Sequence, residues 1–190
     1  MKFITSEGGA SATFSGTAED DTKFYALYPY QSGLTLNSST GVISGVTIPY
    51  EQNPFPTSFD SKAAIAYATT TDASLTFHNA CALLKISNNR ENSVKITISC
   101  GGVLTGTFDL DTSTGALTVQ SNQGKSSVST QMVPPMTTIY FAIAPGTVED
   151  LTVNCRDDSG KSGSKRKMGS TTFEAGKIYD LGKTKDWNLR

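Results

Sequence analysis

A chain of 190 residues can bury a respectable core, either as one sandwich or as two small units. Sixteen Lys and Arg against seventeen Asp and Glu give no global pull towards nucleic acid or an acidic membrane, and three cysteines exclude a disulfide-stapled scaffold. The opening MKFITSEGGA has no apolar core of signal-peptide length and no stretch approaches a membrane span, so cytoplasmic residence and an export signal outside the sequence both stay open.

Short apolar runs separated by Gly, Ser, Thr, Asn and Asp predict an antiparallel all-β architecture. The first strands fall at residues 2–5, 12–15 and 24–28. Tyr25, Tyr28, Tyr30 and Tyr50 lie in or after YALYPYQ. Amphipathic rings suit an interface with sugars or protein partners, and they equally suit core packing with hydroxyls at the rim. Tyr28 and Tyr30 share a face unless Pro29 turns the chain. A further strand is predicted at 42–43, inside LNSSTGVI (36–43), which echoes LDTSTGAL (110–117). In both, Asn or Asp can bond its own backbone and Gly41 or Gly115 supplies positive φ; duplication and convergent turn chemistry explain the echo equally well.

The segment IPYEQNPFPTSFD (48–60) carries Pro49, Pro54 and Pro56 and is predicted to be an extended connection. It leaves a smaller N-terminal unit, residues 1–70, and leads to a larger C-terminal sandwich, residues 71–190. Residues 61–68 are the best helical candidate, being Ala-rich but short, and are also compatible with a strand near Ile65.

LTFHNACALLKI (75–86) and VKITISC (94–100) read as the arms of a long hairpin. Val94, Ile96, Ile98 and Cys100 alternate with polar residues, as a half-buried strand requires. The first arm runs through Ala80, Cys81, Ala82, Leu83 and Leu84 without a polar break, so it is covered in part on both faces. Centring the hairpin on Arg90 sets Ile86 opposite Val94, Leu84 opposite Ile96 and Ala82 opposite Ile98; a slip would turn this apolar set towards water. That register sends Cys81 and Cys100 to opposite faces. Cys100 and Cys155 read as buried small hydrophobes or as a bridged pair. Phe77, Leu84, Ile86, Val94, Ile96, Ile98, Phe108 and Phe141 form the predicted core.

Further strands are predicted at 104–110, 116–120, 138–144, 151–155, 171–173 and 178–181. DTSTG (111–115) has the opening of a calcium loop, but Ala116 and Asn122 stand where an EF-hand needs Gly and Glu, so a hairpin turn is predicted. Asp157 and Asp158 form an acidic turn. His78 is the only histidine and reads as a partly exposed strand residue; no GxSxG elbow accompanies it, and a histidine-rich metal site is excluded. KSGSKRKMGS (161–170) is predicted to be a solvated loop whose Lys165, Arg166 and Lys167 either repel aggregation or touch an anionic glycan, lipid or nucleic acid. Trp187 reads as a cap or a tail residue. No cofactor is expected.

FHNACALLKI resembles the F-x-N-x-C-A-L-L-K signature of the fimbrillin-like, or Mfa-like, surface proteins of Bacteroides and relatives. FYALYPY (24–30), GVISGVTIPYEQ (41–52), Gly106 with Thr107, IYFAIAPG (139–146) and GKIYDLG (176–182) are similar to further family segments in the same order, so the matches run from about residue 2 to 182. The resemblance implies two tandem transthyretin-like β-sandwich units, lipoprotein export, and display or assembly on the outer surface. It also implies that some members polymerise when a partner's strand fills a groove vacated by proteolysis. The lipobox cysteine, and the Trp-bearing segment that precedes the first strands in close relatives, are not in this sequence; the expectation is a truncated first unit and a lipid anchor outside this chain.

The reading is therefore a non-enzymatic fimbrial or adhesin-like subunit at the cell surface, outer membrane or exterior. Its expected partners are other pilin or surface subunits, with host or bacterial glycans as the alternative, and no nucleic acid. Tyr25, Tyr28, Tyr30, Tyr50, Lys165, Arg166 and Lys167 are the candidate interface.

Overall fold

A computed structural model of the chain describes residues 23–72, 74–130 and 135–184. All fourteen elements among them are strands: β1 Phe24–Tyr28, β2 Thr35–Asn37, β3 Val42–Ile48, β4 Ala66–Thr70, β5 His78–Asn79, β6 Ala82–Asn88, β7 Ser93–Gly101, β8 Thr105–Asp111, β9 Leu117–Lys125, β10 Ser127–Thr130, β11 Thr137–Ile143, β12 Gly146–Asp157, β13 Ser162–Phe173 and β14 Ile178–Lys183. The strands predicted at 2–5 and 12–15, and Trp187, lie outside the described residues.

The alternating apolar residues build two cores. Sheet β10-β7-β12-β13 packs against sheet β11-β6-β14 around Leu84, Ile86, Ile96, Ile98, Phe141 and Val153. Sheets β2-β3-β8-β9 and β1-β4-β5 enclose a second cluster around Val46, Ile48, Ile65, Phe108 and Leu110. Strand β11 serves both, with Phe141 and Ile143 in the first cluster and Ala142 in the second. The chain entering and forming β6 does the same: Leu84 enters the first cluster while Ala80 and Cys81 enter the second, flanked by Leu83. Cover on both faces is why ACALL contains no polar break.

The predicted hairpin is corrected. β6 pairs with β11 and β14, and β7 pairs with β10 and β12, so the two arms lie in facing sheets joined by residues 89–92. Leu84 is opposite Phe141 and Ile86 opposite Ile139, while Ile96 is opposite Cys155. The apolar sets do meet, across the sandwich core. Val94 leaves that core because the β7–β12 register shifts between Lys95 and Ser93, making it the extra residue of a bulge. Phe77 is 44% exposed, in the extended approach to the two-residue β5. The other six predicted core residues are buried.

The real hairpin runs the other way along the chain. β7 and β8 are antiparallel to β10 and β9 respectively, around the turn at 112–116, forming one long ribbon whose two halves join different sheets. Gly102, at φ +146°, lies at the bend, where an added Cβ would come 3.1 Å from Val148 Cγ1.

Residues 49–60 form the extended connection that the prolines predict, and they run along strand edges. Gln52 N–H donates to Ser129 O, Ser129 N–H to Tyr50 O, Thr57 N–H to Thr138 O and Tyr140 N–H to Ser58 O. The outer edges of β10 and β11 are thereby covered. No helix forms at 61–68; β4 begins at Ala66, and Ala63 and Ile65 are buried. The loop predicted at 161–170 is likewise corrected: it is most of β13, which its sequence conceals because only Gly163 and Phe173 of the strand are buried. Ten residue pairings with β12 hold it.

Candidate functional site

Turn chemistry positions the first surface. Asn37 Oδ1 accepts from the N–H groups of Ser39 and Thr40, and Asp111 Oδ1 from the N–H and hydroxyl of Ser113. Gly41 and Gly115 close the two turns at φ +74° and +79°. The echoing turns are neighbours, with Val42 opposite Asp111 and the Thr112 hydroxyl donating to Gly41 O at 2.7 Å. Each carries a tyrosine from the β1-β4-β5 sheet. Tyr25 OH donates to Ser38 O at 3.3 Å, and the Tyr67 ring lies against the position a Cβ would take at Gly115. DTSTG is thus a hairpin turn, and the hydroxyl and amide of Ser113 hold the Asp111 carboxyl below its ordinary range.

Beside the second turn is an open cleft of about 520 Å³, between residues 67–72 and 74–78 on one side and Thr112 and Ser113 on the other. Period two puts Tyr67 and Thr69 on one face of β4, and the returning chain presents Ser74, Thr76 and His78 to the same cleft. His78 is opposite Tyr67, their rings tilted at 42° with centroids 5.8 Å apart. Asp72, at the end of the cleft, is fixed by Thr70 Oγ1–H and Ser74 N–H, both donating to its Oδ1 at 2.9 and 2.7 Å. Those two bonds hold its carboxyl below its ordinary range. His78 is the exposed strand residue predicted for it, but Tyr67 and Asp72 were not singled out from sequence. The alternation of Ser74, Thr76 and His78 was the available signal.

The proposed interface residues do not form one patch. Tyr25 packs on the first turn, whereas Tyr28 and Tyr30 are 49% and 57% exposed on either side of the cis Tyr28–Pro29 bond. Tyr50 lies 5.8 Å from Lys125 Nζ. Lys165, Arg166 and Lys167 are on β13, where Arg166 pairs with Asp150 at 3.2 Å and Lys165 Nζ donates to Leu181 O at 3.1 Å.

Cys81, Cys100 and Cys155 are free thiols. Since Cys155 is opposite Ile96, Cys100 is four residues further along β7, roughly 13 Å away at strand rise, too far for a bridge. Burial pushes Cys81 up to about 12 and Cys100 to about 11, so neither is a nucleophile at neutral pH. No group of three or more His, Cys, Asp or Glu that could hold a metal occurs among the described residues. The turn after β12 uses Asp157 on its own backbone and neighbours, accepting from Lys161 N–H and the Ser159 hydroxyl at 2.8 Å each.

Comparison with known proteins gives one family: a model described as fimbrillin-like matches residues 1–184. Among solved structures, the chain is similar to a candidate cell adhesion protein from Bacteroides uniformis ATCC 8492, with a TM-score of 0.62 at 14% identity, covering 98% of this chain and 81% of that one. At that identity the likeness shows a shared fold. None of the curated proteins matches.

Proposed function

The chain belongs to the fimbrillin-like family, and we propose that it acts as a fimbrial or adhesin-like subunit of the bacterial cell surface. It is a non-enzymatic, surface- and adhesion-associated protein, as membership of that family entails. The family match over residues 1–184 carries this reading. Two features of the molecule agree with it. Its residues are spent on two packed β-cores and edge cover, and burial raises the Cys81 and Cys100 thiols well above neutral pH.

In the finer reading each core is a transthyretin-like unit, the chain is exported and lipid-anchored, and its partners are other surface subunits. Tyr28 and Tyr30, exposed beside the chain's exit from β1, are the aromatic contacts we assign to such a partner. Strand pairing at an open edge is the physical route to assembly.

Antibody labelling of intact cells expressing the protein tests the reading, combined with gel analysis of unboiled envelope fractions. Labelling without permeabilisation, with ladders or co-purifying surface subunits, is the expected result. Labelling seen only after permeabilisation would reject a surface role.

A further inference from the structure

We propose that the cleft lined by residues 67–72, residues 74–78 and the 112–113 turn binds a neutral carbohydrate. The proposal deepens the adhesive reading and rests on it, by assigning a ligand class and a place.

Three properties of the cleft select the ligand. Among the described residues its lining contains no Lys or Arg, and its one carboxylate, Asp72, repels anions, which argues against phosphate, sulfate or an acidic glycan. The lining is mainly hydroxyl-bearing, with no broad apolar floor for a lipid or an apolar peptide. What remains is a polar, uncharged ligand with many hydroxyls and a small apolar face, and a sugar ring has that chemistry. The Tyr67 and His78 rings offer a surface for its C–H face, and Asp72 Oδ2, without a hydrogen bond among the described residues, can accept from a pair of its hydroxyls.

The cleft is also prearranged, which lowers the ordering cost of binding. Tyr67 is pinned between Gly115 and His78, and Asp72 is fixed through its other oxygen by Thr70 and Ser74. The side chains of Thr69, Ser74, Thr76 and His78 make no hydrogen bond among the described residues, so their polar groups are available to a ligand. About 520 Å³ falls in the usual range of small-molecule sites, roughly 300–1,000 Å³.

The test uses an array of neutral, sialylated and sulfated oligosaccharides, followed by NMR titration with the best neutral binder. Because His78 is the only histidine, its imidazole signals are a unique reporter of the cleft. Neutral oligosaccharides are expected to bind, to shift those signals, and to bind at least about tenfold more weakly to Asp72→Ala and His78→Ala, whose urea midpoints match the wild type. Binding by acidic glycans alone, neutral binding that leaves His78 unshifted or both variants unaffected, or an array with no hits would each overturn the assignment. Labelling of intact cells separates the two readings: a displayed protein with no array hits loses the cleft and keeps its surface role.

Discussion

At Gln52 a side chain takes the place of a neighbouring strand. It is fully buried; its Nε2 donates to Ala142 O and Pro49 O, and its Oε1 accepts from Ala142 N–H. One primary amide thus satisfies both backbone groups of a β11 residue where the proline-rich segment offers few of its own donors. Gln52→Ala leaves the Ala142 amide and carbonyl buried without partners, and the expected loss is about 2–4 kcal/mol in urea unfolding. A loss within 0.5 kcal/mol, roughly what surface changes cost, would show that water replaces the amide. Asp111 poses a different question, because Asn37 does the same job in the twin turn without a charge. The Asp111 carboxyl is held below its ordinary value, about 3.9, so its contribution to stability is present above that value and fades as pH falls through the lower folded one. Asp111→Asn is expected to unfold at the wild-type urea midpoint at pH 7 and to lose less stability than wild type between pH 4 and pH 2. Equal acid losses in the two proteins would refute the linkage.

Strands were legible where side chains declare them. β1 is predicted with its observed bounds, β7 and β12 from their alternation, and β8 and β11 from apolar runs between turn residues. Pairing was less legible. Alternation identifies which face of β6 and β7 is apolar, but a four-residue link can turn a hairpin within one sheet or cross to the facing sheet, and the apolar residues meet either way. β13 is legible only at its end, 171–173; over 162–170 partner backbone from β12 makes it a strand, with almost no buried side chain of its own. The cleft was half legible, since His78 stood out as a lone histidine while Tyr67 and Asp72 gain meaning only from the fold around them. β13 also shows how an edge is defended. Lys165 and Lys167 are opposite Val153 and Leu151, two core residues, so both lysines lie on the inward face of the strand. An incoming strand would have to bury or displace those charges. Lys165→Val with Lys167→Val is expected to raise self-association, seen by light scattering as a mass that climbs with concentration beyond the wild-type curve. Superimposable curves would mean the edge is protected by something else.

The two cores are tied together twice. The long ribbon contributes β7 and β10 to one and β8 and β9 to the other, and β11 has one face in each. Strand β3, at residues 42–48, is hydrogen-bonded to β8, at residues 105–111, so a boundary near residue 70 would cut through a sheet. Separating the cores would mean breaking that sheet or peeling Ala142 and Ala144 away from their neighbours. Melting one core first therefore exposes apolar surface of the other, and a single cooperative transition is expected. Leu84→Ala in the first core and Phe108→Ala in the second should each cost several kcal/mol, roughly 2–5, and each should lower one shared midpoint. Hydrogen exchange through the urea transition makes the comparison direct: peptides from β3 and from β12 should lose protection together in wild type and in both variants. If Phe108→Ala releases β3 at a urea concentration where β12 stays protected, the ribbon and β11 do not couple the cores, and the molecule is two independently folding units.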